Sequence, residues 1–192
     1  MRDLVDALGP HLEADPRPHP APGDRLAAVL ALVVAAPEPS LLLTERAADL
    51  SRHPGEVSLP GGLQDPEDGS LLATALREAH EELGLDPTLP VVLGALPPIH
   101  TFVSGILVTP FVATVPTLPS LSVHAAEIAR VLTTPLRTLG AVERERELAR
   151  EGGRVWRGWS YDVEGAIVWG ATGAMVHALL ELCRKEAPWL MT

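Results

Sequence analysis

The sequence contains little lysine, little cysteine and few aromatic residues. Its single cysteine, Cys183, excludes a disulfide within the chain. Lys185 is the single lysine, and the formal net charge of the chain is −10. Nonspecific binding of DNA or RNA depends on clustered Lys and Arg, so this composition indicates no nucleic-acid partner.

Long hydrophobic runs are also absent. The longest apolar run covers residues 26–36, which is shorter than the roughly 20 residues of a membrane-spanning helix and is typical of a buried strand. The chain begins with Met-Arg-Asp-Leu-Val-Asp, which lacks the apolar core of a signal peptide. We therefore expect no membrane partner and a cytoplasmic location.

The overall composition is typical of a folded protein. Apolar residues make up 46% of the 192 residues and charged residues 21%, which suits one domain with a substantial core. Residues 4–14 show the leucine spacing of a helix, and the Pro-rich residues 15–24 interrupt regular structure. We expect an N-terminal helix and Pro-rich lead-in over residues 1–24, followed by a single domain over residues 25–192.

The apolar patterns predict an α+β fold with a central mixed β-sheet. Residues 25–36 and 41–46 predict a hairpin, and residues 125–131 are compatible with either a helix or a strand. Further strands are predicted at residues 57–59, 91–95 and 106–115 and in a hairpin over 154–168, with a closing helix from residue 171 to about 185.

A helix predicted over residues 70–83 carries three acidic residues on one face. Glu78, Glu81 and Glu82 are related as i, i+3 and i+4, so they lie within about 100° of arc. Like charges at this spacing destabilise a helix unless a cation neutralises them. Carboxylate ligands without a Cys or His cluster favour Mg²⁺ or Mn²⁺ over zinc.

The other face of this helix is apolar, and Gly84 is expected to end the helix. This pattern predicts that the acidic face and the buried face are cleanly separated. The predicted buried residues are Leu72, Ala75, Leu76, Ala79 and Leu83.

The residues around the acidic helix resemble the signature of the Nudix hydrolases. Asp68 stands where the family has glutamate, and eight residues rather than seven separate it from Arg77, as an extra residue in the preceding loop would explain. The resemblance implies a Nudix-type α/β/α sandwich with a central mixed β-sheet. The matching positions are Gly61, Gly62, Arg77, Glu78, Glu81, Glu82, Gly84 and Leu85.

A longer segment, residues 42–68, resembles the coenzyme A pyrophosphatase branch of this family. Ser51 and Leu59 depart from the branch, which has arginine and phenylalanine there, and Arg52 follows directly. Residues 161–165 and 167–172 also resemble sequences that end this branch. The matching positions in the first segment are Leu42, Leu43, Thr44, Arg46, Ala47, Gly55, Val57, Pro60, Gly61, Gly62, Asp65 and Asp68.

The resemblance implies a metal-dependent enzyme that hydrolyses the pyrophosphate bond of coenzyme A or a derivative. The products would be 4′-phosphopantetheine and adenosine 3′,5′-bisphosphate. One alternative is a Nudix hydrolase of another nucleoside diphosphate derivative, namely ADP-ribose, a dinucleotide cofactor or a damaged nucleotide. A second alternative is a nucleotide-binding regulator without catalytic activity. In every case the partner is a small nucleotide.

The resemblance also implies roles for the residues of the acidic helix. Glu78 and Glu82 are expected to be the principal metal ligands, with Glu81 as a further or shared ligand. The carbonyl oxygen of Gly62 is expected to be an additional ligand. Arg77 is expected to orient these carboxylates, with direct contact to a substrate phosphate as the alternative.

The base that activates the attacking water is left open. Glu81, Glu82 and the distant Glu127 are candidates, and a bound metal could activate the water without a protein base.

Substrate phosphates are expected to contact residues upstream of the two glycines. Arg46, Arg52 and His53 are the candidates, and the backbone at Gly61 can approach a ligand closely. The arginine-rich composition suits bidentate phosphate contacts, although codon composition explains it equally well.

Overall fold

A mixed β-sheet forms the centre of the protein. The computed structural model describes residues 2–49, 54–101, 105–151 and 154–192. The helices are α1 (Arg2–Leu8), α2 (Leu71–Leu83), α3 (Leu136–Val142) and α4 (Gly170–Glu186), with short 3-10 helices at Gly9–His11 and Pro188–Met191. The strands are β1 (Arg25–Val34), β2 (Ser40–Arg46), β3 (Val57–Ser58), β4 (Gly61–Leu63), β5 (Val91–Ala95), β6 (Ile99–His100), β7 (Ile106–Val115), β8 (Ile128–Pro135), β9 (Arg144–Glu151), β10 (Arg154–Val163) and β11 (Ala166–Val168).

Strand β1 lies in the middle of the main sheet. It runs parallel to β7 on one side and antiparallel to β2 on the other. The strand order is β3-β2-β1-β7-β5, while β4, β6 and β8 pair with β1, β7 and β2 respectively. The last eight residues of β1 are buried, as expected for a strand covered by helices on both faces. The predicted α+β fold with a central mixed sheet is confirmed.

Helices cover both faces of this sheet. Ala28, Leu30 and Leu32 of β1 share one buried cluster with the apolar side chains of α2. The alternate residues Val29 and Val33 point the other way and share a second cluster with α1 and α4. Two helical layers therefore enclose the sheet.

The first helix is shorter than its leucine spacing predicts. The α-helix ends at Leu8 and continues only as a 3-10 helix to His11, because Pro10 cannot donate a backbone hydrogen bond. Leu4 and Leu8 are nevertheless fully buried in the cluster that contains the apolar face of α4. The lead-in is thus anchored on the main body by two leucines.

Most of the other predicted elements match the structure. Strands β5 and β7 have the predicted bounds, and the ambiguous segment 125–131 becomes strand β8 from Ile128 onward. Strand β9 was not predicted, because its alternating Arg and Glu residues are typical of a solvated segment; it pairs with β10. Within the described residues, no helix is long and apolar enough to cross a membrane.

A carboxylate connects the second, smaller sheet of β9, β10 and β11 to α4. Glu143 accepts hydrogen bonds from Tyr161 at 2.7 Å and Arg184 at 2.7 Å, and Nδ1 of His177 lies 3.0 Å from it. Burial alone would raise the pKa of Glu143, but these partners outweigh it and lower that pKa. Glu143 therefore stabilises the packing of the C-terminal elements as a carboxylate.

We predict that Glu143→Gln lowers the free energy of unfolding at pH 7 by about 1.5–3 kcal/mol, the usual range for hydrogen bonds to a charged group. A depressed pKa contributes stability above the unfolded value near 4.5, and that contribution is lost as pH falls through the folded value. The difference between wild type and variant should thus shrink as the pH falls below 4.5. Urea denaturation across pH measures this, with the exposed Glu145→Gln as the control; a pH-independent difference contradicts the prediction.

Candidate active site

The candidate site forms where β1 and β2 separate at one end of the main sheet. Two short strands fill the gap, since β3 pairs with the end of β2 and β4 pairs with β1. In β4, Gly61 lies opposite Val29 and Gly62 lies opposite Ala28. Helix α2 packs over both β1 and β4. Its acidic residues are therefore placed against the glycines that precede it in sequence.

Helix α2 has the ends that the sequence predicts. The Ser70 hydroxyl accepts a hydrogen bond from the N–H of Ala73 at 3.1 Å, and Gly84 ends the helix with a left-handed φ of 64°. In the loop before it, the Asp68 carboxylate accepts the N–H of Asp65 at 2.9 Å. This hydrogen bond closes the turn between Asp65 and Asp68 that leads into α2.

The carboxylate of Glu78 lies directly against the backbone of β4. A Cβ atom on Gly62 would lie only 2.5 Å from Oε1 of Glu78, so a side chain at this position would displace the Glu78 carboxylate. One turn further along α2, Oε2 of Glu82 accepts the N–H of Gly61 at 3.3 Å. The two glycines thus bring main-chain atoms against two helical carboxylates.

Glu82 is buried, which corrects the predicted division between an acidic and an apolar face. It is 5% exposed, whereas Leu72 and Leu76 of the predicted stripe are only half-buried. The reason is that α2 packs against β4 as well as β1, so the covered face is rotated toward Glu82. Burial raises the pKa of Glu82 to about 7, and the neighbouring charge of Glu78 adds to this effect. Burial also raises the pKa of Glu78.

Arg77, in the middle of α2, forms ion pairs with the carboxylates of Asp68, Glu78 and Glu81. Its Nε and Nη2 atoms donate to the two carboxylate oxygens of Asp68, each at 3.0 Å. Its Nη1 donates to Glu78 and Glu81, again at 3.0 Å each. Arg77 holds the pKa of Asp68 well below its usual range. Sequence reasoning missed this partnership, although Asp68 occupies the position of the family glutamate.

Arg46 and Glu127, two further candidate residues, lie where β2 ends and just before β8 begins. A bulge interrupts the pairing of these strands between Glu45 and Arg46. The N–H of Ala47 donates to the carbonyl of Glu127 at 2.7 Å, which places Glu127 beside the end of β2. Oε1 of Glu127 lies 3.3 Å from Nδ1 of His124.

Both of these residues act electrostatically on Glu82. The positive charge of Arg46 lowers the pKa of Glu82, and the negative charge of Glu127 raises it. Glu127 has the same effect on Glu78. The Nε atom of Arg46 is buried and has no hydrogen-bond partner among the described residues. The fold therefore brings Arg46 and Glu127, which are distant in sequence, to the acidic face of α2.

The connection from β7 to β8 is fastened to the end of α2. The N–H groups of Ser122 and His124 donate to the carbonyls of Leu83 and Glu82, each at 2.8 Å. These bonds satisfy free carbonyl groups at the helix end and bring the segment before Glu127 to the site. Two other candidates, Arg52 and His53, lie together with Ser51 outside the described residues.

The chemistry of this site fits a divalent cation. Within the described residues, no three Asp, Glu, His or Cys side chains are placed as they stand to coordinate an ion, and Arg77 engages Glu78 and Glu81. However, one arginine shared among three carboxylates leaves the acidic face negative. Glu82 is buried, and the part of the chain that the structure describes provides no salt bridge to it. Hard carboxylate and carbonyl oxygens beside Gly62 are the ligands that Mg²⁺ and Mn²⁺ prefer.

Comparison with known proteins identifies relatives of this chain. The NUDIX domain model matches residues 24–116. An uncharacterized Nudix hydrolase NudL from Cronobacter sakazakii is 44% identical over 161 residues, covering 81% of this chain and 81% of the relative. A NudL protein from Photorhabdus laumondii is 38% identical over 184 residues, covering 94% of this chain and 96% of the relative.

Comparison of the fold with solved structures also finds a Nudix hydrolase. A crystal structure of a NUDIX hydrolase from Alicyclobacillus acidocaldarius superposes with a TM-score of 0.50 at 21% identity, covering 59% of this chain and 80% of that chain. This similarity supports the fold alone, whereas the identity and coverage of the NudL relatives establish kinship. The chain therefore belongs to the Nudix hydrolase family and is a pyrophosphohydrolase of that family.

Proposed function

We propose that the protein hydrolyses the pyrophosphate bond of coenzyme A or a coenzyme A derivative in the presence of Mg²⁺ or Mn²⁺. The products are 4′-phosphopantetheine and adenosine 3′,5′-bisphosphate. The chemistry is supported by one observation above all, the packing of the Glu78 and Glu82 carboxylates against the backbone of Gly61 and Gly62. The choice of substrate is supported by the resemblance of residues 42–68 to the coenzyme A pyrophosphatase branch.

In this proposal, hard oxygen ligands from α2 and β4 hold the metal. Glu78 and Glu82 are the principal ligands, Glu81 is a further or shared ligand, and the Gly62 carbonyl completes the protein's contribution. A bound divalent cation neutralises charge on the phosphate oxygens and favours deprotonation of water. The buried position of Glu82 supports a role in which a cation offsets its charge.

Arg77 acts as a positioning residue in this proposal. Asp68 binds its Nε and Nη2 atoms, so the guanidinium plane is fixed before Nη1 contacts Glu78 and Glu81. A planar, fully charged guanidinium is suited to this bidentate contact. The alternative role, direct contact with phosphate, is less compatible with donors that are already engaged.

Arg46 contacts the pyrophosphate in this proposal. Its buried Nε lacks a partner in the described part of the chain, and an unsatisfied buried donor is costly unless a ligand accepts a hydrogen bond from it. A phosphate oxygen is such an acceptor. Arg52 and His53 remain predicted phosphate contacts. The backbone at Gly61 remains a predicted contact of the substrate.

The most suitable base among the candidates is Glu127. Glu81 is engaged by Arg77, and Glu82 is buried against Gly61, whereas the Glu127 side chain is 46% exposed. In the reaction, the water oxygen forms a bond to phosphorus while the bridging P–O bond breaks. The water proton passes to the carboxylate, and the departing phosphate keeps the electron pair of the broken bond.

We also propose that residues 25–192 form one catalytic domain and that residues 1–24 are its lead-in. The burial of Leu4 and Leu8 against the α4 side of the sheet supports an attachment that does not involve the acidic face.

We predict that the protein with Mg²⁺ or Mn²⁺ converts coenzyme A to the two named products, as identified by mass spectrometry. Glu82→Gln keeps the side-chain shape but removes a charged ligand, so turnover should fall by about 100-fold or more, because the metal contributes several kcal/mol of transition-state stabilisation. The rise in melting temperature on adding Mn²⁺ should disappear in the same variant.

The matched control is Glu67→Gln, an exposed acid in the loop before α2. Parallel assays with ADP-ribose, dinucleotide cofactors and oxidised nucleotides test the alternative substrates. Faster turnover of any of these than of coenzyme A would contradict the proposed substrate. Binding of nucleotide and metal without turnover would instead indicate a regulator.

We further predict that Asp68→Asn lowers Mn²⁺ affinity and turnover by about 10–100-fold, the usual effect of losing a residue that orients a metal ligand. The amide cannot accept two charge-assisted hydrogen bonds from Arg77, so the guanidinium would lose its fixed orientation. Calorimetric titration with Mn²⁺ measures the affinity. Unchanged affinity in Asp68→Asn would show that Arg77 needs no fixed orientation.

A further inference from the structure

Strands β2 and β8 form a β-bulge beside the candidate active site. Glu45 of β2 pairs with Arg130 of β8. Arg46, the next residue of β2, pairs with Ile128, which leaves Ala129 as an additional residue on β8. Bulges change the direction of neighbouring side chains and are frequent next to active sites. The position of this bulge therefore determines where Arg46 lies relative to the acidic face.

The two sides of β2 face different layers of the protein. Leu41 and Leu43 belong to the buried cluster that includes α4, whereas Leu42 belongs to the cluster that includes α2. The same alternation puts Glu45 on the α4 side and Arg46 on the α2 side. A contact made by Glu45 therefore acts on Arg46 through the backbone of β2.

An ion pair lies directly before the bulge. Arg130 donates to Oε2 of Glu45 from Nε at 2.9 Å and from Nη2 at 2.7 Å. Beyond the bulge, the N–H of Ala47 donates to the carbonyl of Glu127 at 2.7 Å. These two contacts flank Arg46. They hold β2 and β8 in one register, and a slip of one residue would move side chains to the opposite face.

Arg130 also contacts the turn between β10 and β11. The carbonyl of Glu164 accepts hydrogen bonds from Nη1 of Arg130 at 3.4 Å and from Nη2 at 3.5 Å. Among the described residues, Glu164 is the only non-glycine residue with a positive φ, 51°. Such a conformation is costly for a residue with a side chain and persists where surrounding contacts compensate it. One guanidinium thus joins β2, β8 and the smaller sheet.

We infer that Arg130 is a positioning residue for hydrolysis, which fixes the β2–β8 bulge through Glu45 and Glu164. This inference rests on the proposed function, in which Arg46 contacts the pyrophosphate and Glu127 accepts the proton of the attacking water. Arg130 lies on the side of the sheet opposite the acidic face, so it acts through these residues and contacts neither substrate nor metal.

The test measures kcat/KM for coenzyme A, melting temperature and the effect of Mn²⁺ in Arg130→Gln. We expect kcat/KM to fall by about tenfold or more, because small displacements of groups around a substrate slow catalysis strongly. The Glu45 and Arg130 side chains are 26% and 41% exposed, so their ion pair is weak, and the melting temperature should fall by at most about 4 °C. The rise in melting temperature on adding Mn²⁺ should persist, since the metal ligands are unchanged.

Two further variants identify the cause of the loss. Arg130→Lys retains the charge and should recover part of the activity. The matched control is Arg137→Gln, since Arg137 of α3 pairs with Glu38 just before the other end of β2, away from the bulge. Its kcat/KM should equal that of wild type. A lower melting temperature in Arg130→Gln without a loss of kcat/KM would show a structural role alone and overturn the inference.

A double variant tests whether Arg130 acts through Arg46. Arg130→Gln should lower kcat/KM less in the Arg46→Gln background than in wild type, because residues that act together are not additive. Losses that multiply fully in the double variant would contradict positioning.

The same series separates this inference from the proposed function. If Arg46→Gln and Glu127→Gln slow turnover but Arg130→Gln does not, the inference fails and the proposed function stands. If coenzyme A is not cleaved, the proposed substrate fails, and the variants are compared on the nucleoside diphosphate derivative that the protein does hydrolyse. On that substrate a loss of kcat/KM in Arg130→Gln supports the inference, and an unchanged value overturns it.

Discussion

The contact between the carboxylates of α2 and the backbone of β4 is the constraint on which the rest of the structure depends. Glycine at position 62 leaves room for the Glu78 carboxylate, which a Cβ atom there would displace. Strands β1 and β2 must separate so that β4 can enter between them. The helix must then pack on β4 as well as on the sheet, which buries Glu82. The close approach of α2 and β4 thus goes together with the separation of β1 from β2 and with the burial of Glu82.

Burial of these carboxylates has an electrostatic cost, which the neighbouring residues offset in part. Taking a carboxylate out of water is unfavourable unless charge or hydrogen bonds compensate it. Arg77 compensates Glu78 in part, but it is also bound to Asp68 and Glu81. Glu82 receives one backbone N–H at 3.3 Å and the more distant charge of Arg46. The remaining negative charge is the physical basis of the proposed cation at this position, and it is why stability and catalysis should depend on the same ion.

The surrounding fold separates the site from the elements that only stabilise the protein. The end of the sheet where β1 starts and β2 finishes carries the acidic face and Arg46. The α4 side is held by a different network, in which Glu143 joins β10 to α4. Because these groups lie on opposite layers of the sheet, changes in the Glu143 network should affect unfolding more than chemistry.

Much of this arrangement could be predicted because the signals are local. The i, i+3, i+4 spacing places Glu78, Glu81 and Glu82 on one helical face in any fold, and Ser70 and Gly84 mark the helix ends through their own chemistry. The mixed sheet follows from long apolar runs. Strand β9 could not be predicted in this way, because it is formed through pairing with β10 rather than through an apolar pattern.

The sequence by itself determined the family, the acidic helix and the glycines before it, because these depend on residue type and short spacing. Only the tertiary structure decided that Glu82 is buried, that Asp68 binds Arg77, and that Arg46 and Glu127 lie beside the acidic face of α2. The physical reason is that burial and charge pairing depend on which strands meet. Those contacts join residues far apart in the chain, and no local pattern records them.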